Sequence, residues 1–274
     1  MEERKVCVRK YFRMIVMVFA LAALLTATAE SQGKKGFMKQ SEEEGESAGT
    51  ERVSIRPSGL VPLFPSDATC PEVASPFASS RRYDGSYRPS FRYGGLHGGM
   101  DLSLDEGTPL IALASGKIIG MGIGGQALGI YLWLQHAPED TGLPFWVYSK
   151  YQHLLELPKH EIGDKVQAGQ VIALSGKTGT TGGHYGESGY PHLHLTTLAG
   201  RSGQYERRGS KIIVEGLRNF DPIAIYLSGL KDLDEIEHIP EEKKRVAIPY
   251  LSEKGSIHPA GSKVVWPARC KPKQ

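Results

Sequence analysis

"IGDKVQAGQVIALSG", residues 162–176, decides how this chain folds. Valine and isoleucine recur between polar residues, and two turn pairs, Gly163-Asp164 and Ala168-Gly169, punctuate the run. Short β-branched stretches between glycine turns predict strands, here in the form of a hairpin. The same texture spreads outward. "TPLIALASGKIIGMG" (residues 108–122) gives two apolar runs broken at Ser115-Gly116, "GIYLWLQH" (129–136) alternates, and "FWVYSKYQHL" (145–154) is rich in aromatic and β-branched residues. No apolar run keeps helical spacing beyond two turns in this region. With 33 glycines and 17 prolines among 274 residues, turns and short strands dominate, and the predicted fold class is all-β. "NFDPIAIYLSGL" (219–230) closes the region, with a short helix predicted after Pro222.

The flanks differ. "MEERKVCVRKYFR" is basic, Met14–Leu25 is an apolar run, and Ala27-Thr28-Ala29 has the small-x-small form of a signal-peptidase site, so residues 1–29 read as a signal peptide. The run is shorter than the roughly 20 residues that span a bilayer, which favours cleavage and a periplasmic or secreted protein with no remaining membrane span. An uncleaved leader acting as a membrane anchor is the alternative. Residues 30–60 begin with a charged stretch nearly free of large apolar side chains, which predicts a flexible linker. The folded domain is then expected over 61–230. Residues 231–274, with the charge clusters of "DLDEIEHIPEEKKR", are expected to be an extension wrapped on the surface or partly disordered.

The leader accounts for the whole formal charge of +3, leaving the exported part neutral. Bulk charge therefore gives no reason to expect a nucleic-acid partner. Cys7 lies in the leader, leaving Cys70 and Cys270 as a pair that an oxidising compartment would join in a disulfide; two free thiols are the alternative.

Chemistry concentrates in two places. In "GYPHLHLTT" (189–197), His192 and His194 are two apart, so on a strand both project from one face. In "HGGMD" (97–101), His97 and Asp101 are four apart, again an even spacing on an extended chain. Two imidazoles and a carboxylate are good zinc ligands, and three protein ligands leave a position open for water. Neither pair decides the matter alone, since each occurs by chance in polar strands.

Together with further ordered motifs, they carry a resemblance. "HGGMDLSLDEGTPLIALASGKI", "YSKYQHL", "IGDKVQAGQVIALSGKTGTTG" and "PHLHL" follow one another as in the lysostaphin-type zinc endopeptidases, also called LytM-domain or M23 peptidases, and the resemblance spans residues 93–227. It implies a twisted antiparallel β-sheet sandwich with an open groove holding one Zn2+ per chain. It matches His97, Asp101 and His194 to the metal ligands. His192 and His153 match the two non-ligand histidines that serve as general base and transition-state stabiliser. The implied activity is hydrolysis of peptidoglycan peptide cross-links. A non-catalytic LytM-type module that binds and regulates wall hydrolases is the alternative, and a sugar-uptake carrier domain sharing the "GDKVQAGQVI" pattern is a third. Oligomeric state is left open.

His136, His160, His184, His238 and His258 match no catalytic position; His136 and His160 are expected in surface or loop roles. Two loops, "TTGGHYGESGY" (180–190) and "APEDTGLPFW" (137–146), are longer than the family's usual links. They lie where cleft walls should be, so Tyr185, Glu187 and Tyr190 are candidate substrate contacts or ordinary loop residues.

Overall fold

The alternating segments assemble into one antiparallel sheet, and the site lies on a row that crosses it. The computed structural model describes residues 55–125, 127–180 and 189–273; the leader, residues 30–54, and the candidate contacts Tyr185 and Glu187 lie outside the described residues. Eight strands form the main sheet: β1 (Val73–Ser75), β2 (Met100–Ser103), β3 (Gly116–Ile123), β4 (Ile130–His136), β5 (Trp146–Gln152), β6 (Lys165–Val166), β7 (His192–Gly200) and β8 (Arg218–Phe220). Their order is β1-β2-β7-β5-β4-β3-β6, with β8 on β7 as well. β7 is central: residues 192–195 pair with β2, residues 197–199 with β8, and its other edge with β5. Among the described residues helix is confined to Pro138–Thr141 and three short 3-10 turns, one at Pro222–Tyr226 where Asp221 caps the Ile223 amide. Among the described residues no helix is long and apolar enough to cross a membrane.

The inward residues of these strands, among them Leu102, Leu132, Leu134, Tyr151, Leu193 and Leu195, are buried in one core. Each large apolar side chain so buried contributes roughly 1.5–3 kcal/mol before chain entropy is set against it. Tyr151 also ties the sheet to a second layer. Its hydroxyl donates to the Ile111 carbonyl (3.0 Å) and accepts from the Leu113 amide (2.9 Å), which satisfies a buried polar group on both counts.

The turns of 162–176 are present, with Gly163 and Gly169 at positive φ, but the expected hairpin is not. Lys165–Val166 pairs with Gly116–Lys117 in the main sheet, whereas Val171–Leu174 pairs with Pro109–Ile111 in a separate two-stranded ladder. The tight turn at Gln167–Gln170, closed by the Gln170 amide on the Gln167 carbonyl (3.0 Å), sends the two arms to different partners.

The segment 231–274 is not a surface wrapping. Trp266 is fully buried, packs edge-on against Phe64 (5.2 Å between centroids) and donates from Nε1 to the Pro71 carbonyl (3.0 Å). Val264 and Ala268 bridge to Ala114 and Leu110, and the Val265 amide donates to the Leu113 carbonyl (2.7 Å). Leu233, Ile236, Val246, Ile248 and Leu251 are buried too, so the charge clusters are only the outer side of a segment that completes the core. Ile55 and Leu60 are also buried, so ordered packing begins ahead of residue 61. Cys70 and Cys270 are joined by a disulfide, both sulfurs in buried residues.

Candidate metal centre and flanking histidines

One row of the sheet places four side chains side by side. Ser75 on β1 lies opposite Asp101 on β2, Asp101 opposite His194 on β7, and His194 opposite Gln152 on β5. Directly opposed residues of antiparallel strands share a face, so the register alone brings Asp101 to His194. His97 precedes β2 and reaches the same point through Gly98 and Gly99. A Cβ on Gly99 would stand 2.3 Å from the Leu195 carbonyl oxygen and 2.9 Å from His194 Nε2; on Gly98 it would strike the Tyr93 ring at 2.4 Å. The two glycines of "HGGMD" are there because β7 and Tyr93 leave no room for a side chain.

The three candidate ligand atoms converge. His194 Nδ1 is 2.8 Å from Asp101 Oδ1 and 3.0 Å from His97 Nε2, and His97 Nε2 is 3.2 Å from Asp101 Oδ1. All are buried or nearly so. His97 Nδ1 lies 3.0 Å from the Pro76 carbonyl, which can only accept, so in the neutral ring Nδ1 carries the hydrogen and Nε2 the lone pair. Burial opposes ionisation of Asp101, but the charges and hydrogen bonds of His97 and His194 hold its carboxyl well below the usual range. Burial pushes His194 down to about 4, against the pull of Asp101. Near neutral pH the Asp101 carboxylate and the His97 Nε2 lone pair converge on the N–H of His194 Nδ1 in a water-poor spot, and a cation bound there would take the place of that proton. The donor set fits a divalent metal ion.

His153 and His192 flank this cluster, with ring centroids 4.7 Å apart; His153 is 6.0 Å from His194. Each is oriented by one carbonyl, His153 Nδ1 by Thr178 (2.8 Å) and His192 Nδ1 by Tyr190 (3.1 Å). Both neutral rings therefore keep Nε2 as an acceptor. Burial, reinforced by His192 and His194, pushes His153 down to about 3, and burial lowers His192 as well. His153 sits at φ +63°, a left-handed conformation that a histidine adopts at a cost. The Thr178 loop holds it there: Thr178 Oγ1 accepts from the Ile130 amide (3.0 Å) and donates to the Leu154 carbonyl (2.7 Å).

Tyr190 stacks on His192 (4.5 Å between centroids, 14° between planes) and meets Tyr83 on its other side at 3.8 Å. Its place is beside a catalytic candidate, whatever it touches in a substrate. Sequence reasoning missed Arg88, Ser75 and Thr178. Ser75 lies 3.4 Å from His97 Nδ1, and Arg88 forms an ion pair with Asp101 at 3.5 Å. His136 corrects the surface expectation: it is fully buried, donates from Nδ1 to the Ser115 carbonyl (2.7 Å), accepts at Nε2 from Ser149 Oγ (2.8 Å), and is pushed down to about 4 by burial.

The family model for "Peptidase family M23" matches residues 95–205, the stretch that holds all five side chains. Over residues 95–205 the chain is thus similar to the M23 peptidases. Related sequences agree. An uncharacterized metalloprotease of Haemophilus influenzae is 35% identical over 124 residues, covering 44% of this chain and 22% of the relative. A glycyl-glycine endopeptidase of Staphylococcus capitis is 36% identical over 110 residues, covering 38% of this chain and 25% of the relative. The chain thus spans about a quarter or less of these relatives' length. Among solved structures, the catalytic domain of lysostaphin from Staphylococcus simulans is 33% identical, with 40% of this chain and 72% of that chain covered and a TM-score of 0.32. Within the matched stretch, "HGGMD" and "PHLHL" are the segments that meet at the candidate metal centre.

Proposed function

We propose that the chain is an exported zinc metalloendopeptidase that hydrolyses peptide cross-links of bacterial peptidoglycan. The observation that carries the reading is the convergence of His97, Asp101 and His194 between two histidines whose free nitrogens are acceptors. Two imidazoles and one carboxylate favour zinc over harder ions, and the ligand count leaves a position for substrate or water. When bound, zinc supplies Lewis acidity toward a peptide carbonyl and toward water.

The chain's own residues handle the proton. His192 Nε2 is 4.0 Å from Asp101 Oδ1, beside the metal centre, so it is the base placed to take a proton from an attacking water. The ring so charged can return that proton to the departing amine. His153 lies beside His192, 4.7 Å between ring centroids, with its Nε2 lone pair a second acceptor next to the cluster. Burial lowers both rings, so both are neutral near pH 7 and each has a lone pair free to accept a proton. Export through residues 1–29 would bring the enzyme to the wall, and the similarity to a glycyl-glycine endopeptidase supports a peptide as substrate.

The test is digestion of purified peptidoglycan by the zinc-loaded chain, with and without chelator, and mass analysis of the released fragments. Chelator-sensitive products are expected, and their new termini name the bond. One zinc per chain without products from several wall types would sink the peptidase reading. Absence of both zinc and products would favour the non-catalytic wall module.

A further inference from the structure

Asp101 has two oxygens, and they face different neighbours. Oδ1 points at His194 Nδ1 (2.8 Å) and His97 Nε2 (3.2 Å), while Oδ2 lies 3.5 Å from Arg88 Nη2. The same Nη2 donates to Ser75 Oγ at 2.8 Å. Ser75 is the residue directly across from Asp101 on β1, it is almost fully buried, and its Oγ is also 3.4 Å from His97 Nδ1. The guanidinium thus sits behind the carboxylate, attached to the neighbouring strand, with its side chain only 15% exposed. An arginine held by a buried serine beside a metal-facing carboxylate is a costly arrangement for a loop residue, since its charge is largely withdrawn from water.

We propose that Arg88 is a positioning residue: it occupies Asp101 Oδ2 so that the carboxylate offers one oxygen, Oδ1, to the metal ion. This rests on the metal-centre reading above. A carboxylate free at both oxygens can bind a cation through both and fill the position that catalysis needs open. A guanidinium on Oδ2 prevents this without entering the cluster, and outer partners of this kind tune both the geometry and the affinity of metal sites. The ordering also reaches His97, because Ser75 borders its Nδ1 while accepting from Arg88. The segment that delivers Arg88 is fastened by its own contacts: Arg81 Nη2 donates to Tyr87 Oη (2.6 Å) and Arg88 N to the Ser80 carbonyl (3.0 Å).

The experiment uses the full chain loaded with Co2+ in place of zinc and reads its visible absorption, which is intense at four-coordinate cobalt and weak at higher coordination. Zinc affinity is measured alongside by chelator competition. Arg88→Met is expected to lose band intensity as Oδ2 joins the metal and to bind zinc about tenfold more weakly, the lower end of what loss of an outer partner costs. Arg88→Lys, which keeps a cation at Oδ2, is expected to restore most of the band. Ser75→Ala, which frees the guanidinium's other anchor, should show the same loss in smaller measure, and it serves if Arg88→Met does not fold. A wild-type cobalt spectrum in Arg88→Met, or in Ser75→Ala where only that variant folds, overturns the proposal while leaving the metal centre standing. Failure of the unsubstituted chain to bind Co2+ at all overturns both.

Discussion

The two sides of the metal centre are built differently. Asp101, His192 and His194 stand on β2 and β7, where ladder hydrogen bonds and a fixed register decide which way each side chain faces. His97, His153 and Arg88 lie outside regular strands. Each of those three needs a dedicated holder: the Pro76 carbonyl for His97, the Thr178 carbonyl and a left-handed backbone for His153, Ser75 for Arg88. Strand residues are placed as a by-product of folding the sheet. Loop residues are placed one at a time, and each holder is a separate point at which the site can be loosened without unfolding the protein.

That contrast can be broken first at its strongest point. His192→Ala should lower kcat on wall peptides by about 10²–10⁴-fold while zinc still binds one per chain, since His192 lies beside the cluster and not in it. If zinc is lost too, the division between base and ligands is wrong. Gly99→Ala attacks the interface of the two sides. The added methyl meets a β7 carbonyl and His194 together, and a stability loss of about 3 kcal/mol is expected in urea unfolding, with weakened metal binding. A neutral result would mean that the "HGGMD" turn yields easily.

His136 offers a control, a strand histidine with no opening to a site. Its ordinary value of 6.5 falls to about 4 on burial, so the unfolded chain binds the extra proton between those limits. Its share of stability is whole above pH 6.5 and is lost as pH falls toward 4. Comparing His136→Gln with the natural chain in urea at pH 7 and 4.5 should show about 2–3 kcal/mol less pH dependence in the variant. Equal dependence would mean that His136 is reached by water. Thr178→Val is the mildest test. It removes the hydroxyl that links Ile130 and Leu154, costs about 1–2 kcal/mol, and should lower kcat by loosening His153 while zinc stoichiometry holds. Unchanged kcat would show that the Thr178 carbonyl alone suffices.

Period-two spacing made the strand side legible in the sequence. "PHLHL" states which residues share a face with no long-range information, whereas in "HGGMD" the strand begins only at Met100 and His97 reaches the site from the turn before it. His153 came only with the family resemblance, because nothing local announces a histidine at positive φ. Arg88 gave no signal: "SYRPSFRYGG" has no periodicity, and its serine partner is on a strand of three residues. The burial of His136 was hidden because Ser115 and Ser149 reach it only through sheet register. The paired turns of 162–176 were readable, but turns do not say which strands they join. In the segment 231–274, charge outweighed the one clear sign of a core, the consecutive Val264, Val265 and Trp266.

The docking of that last segment bears on the order in which the protein becomes whole. Every residue of the candidate site has been synthesised by Gly200, yet the strip Leu110–Ala114 gains its bridges to residues 264–268 only after those residues are made, and the Cys70–Cys270 bridge needs residues later still. Contacts this distant in sequence form slowly, because a long loop must close before any of them is rewarded. The sheet that carries the histidines is thus finished from far downstream, and a chain still emerging at residue 230 holds every catalytic group on an unfinished floor.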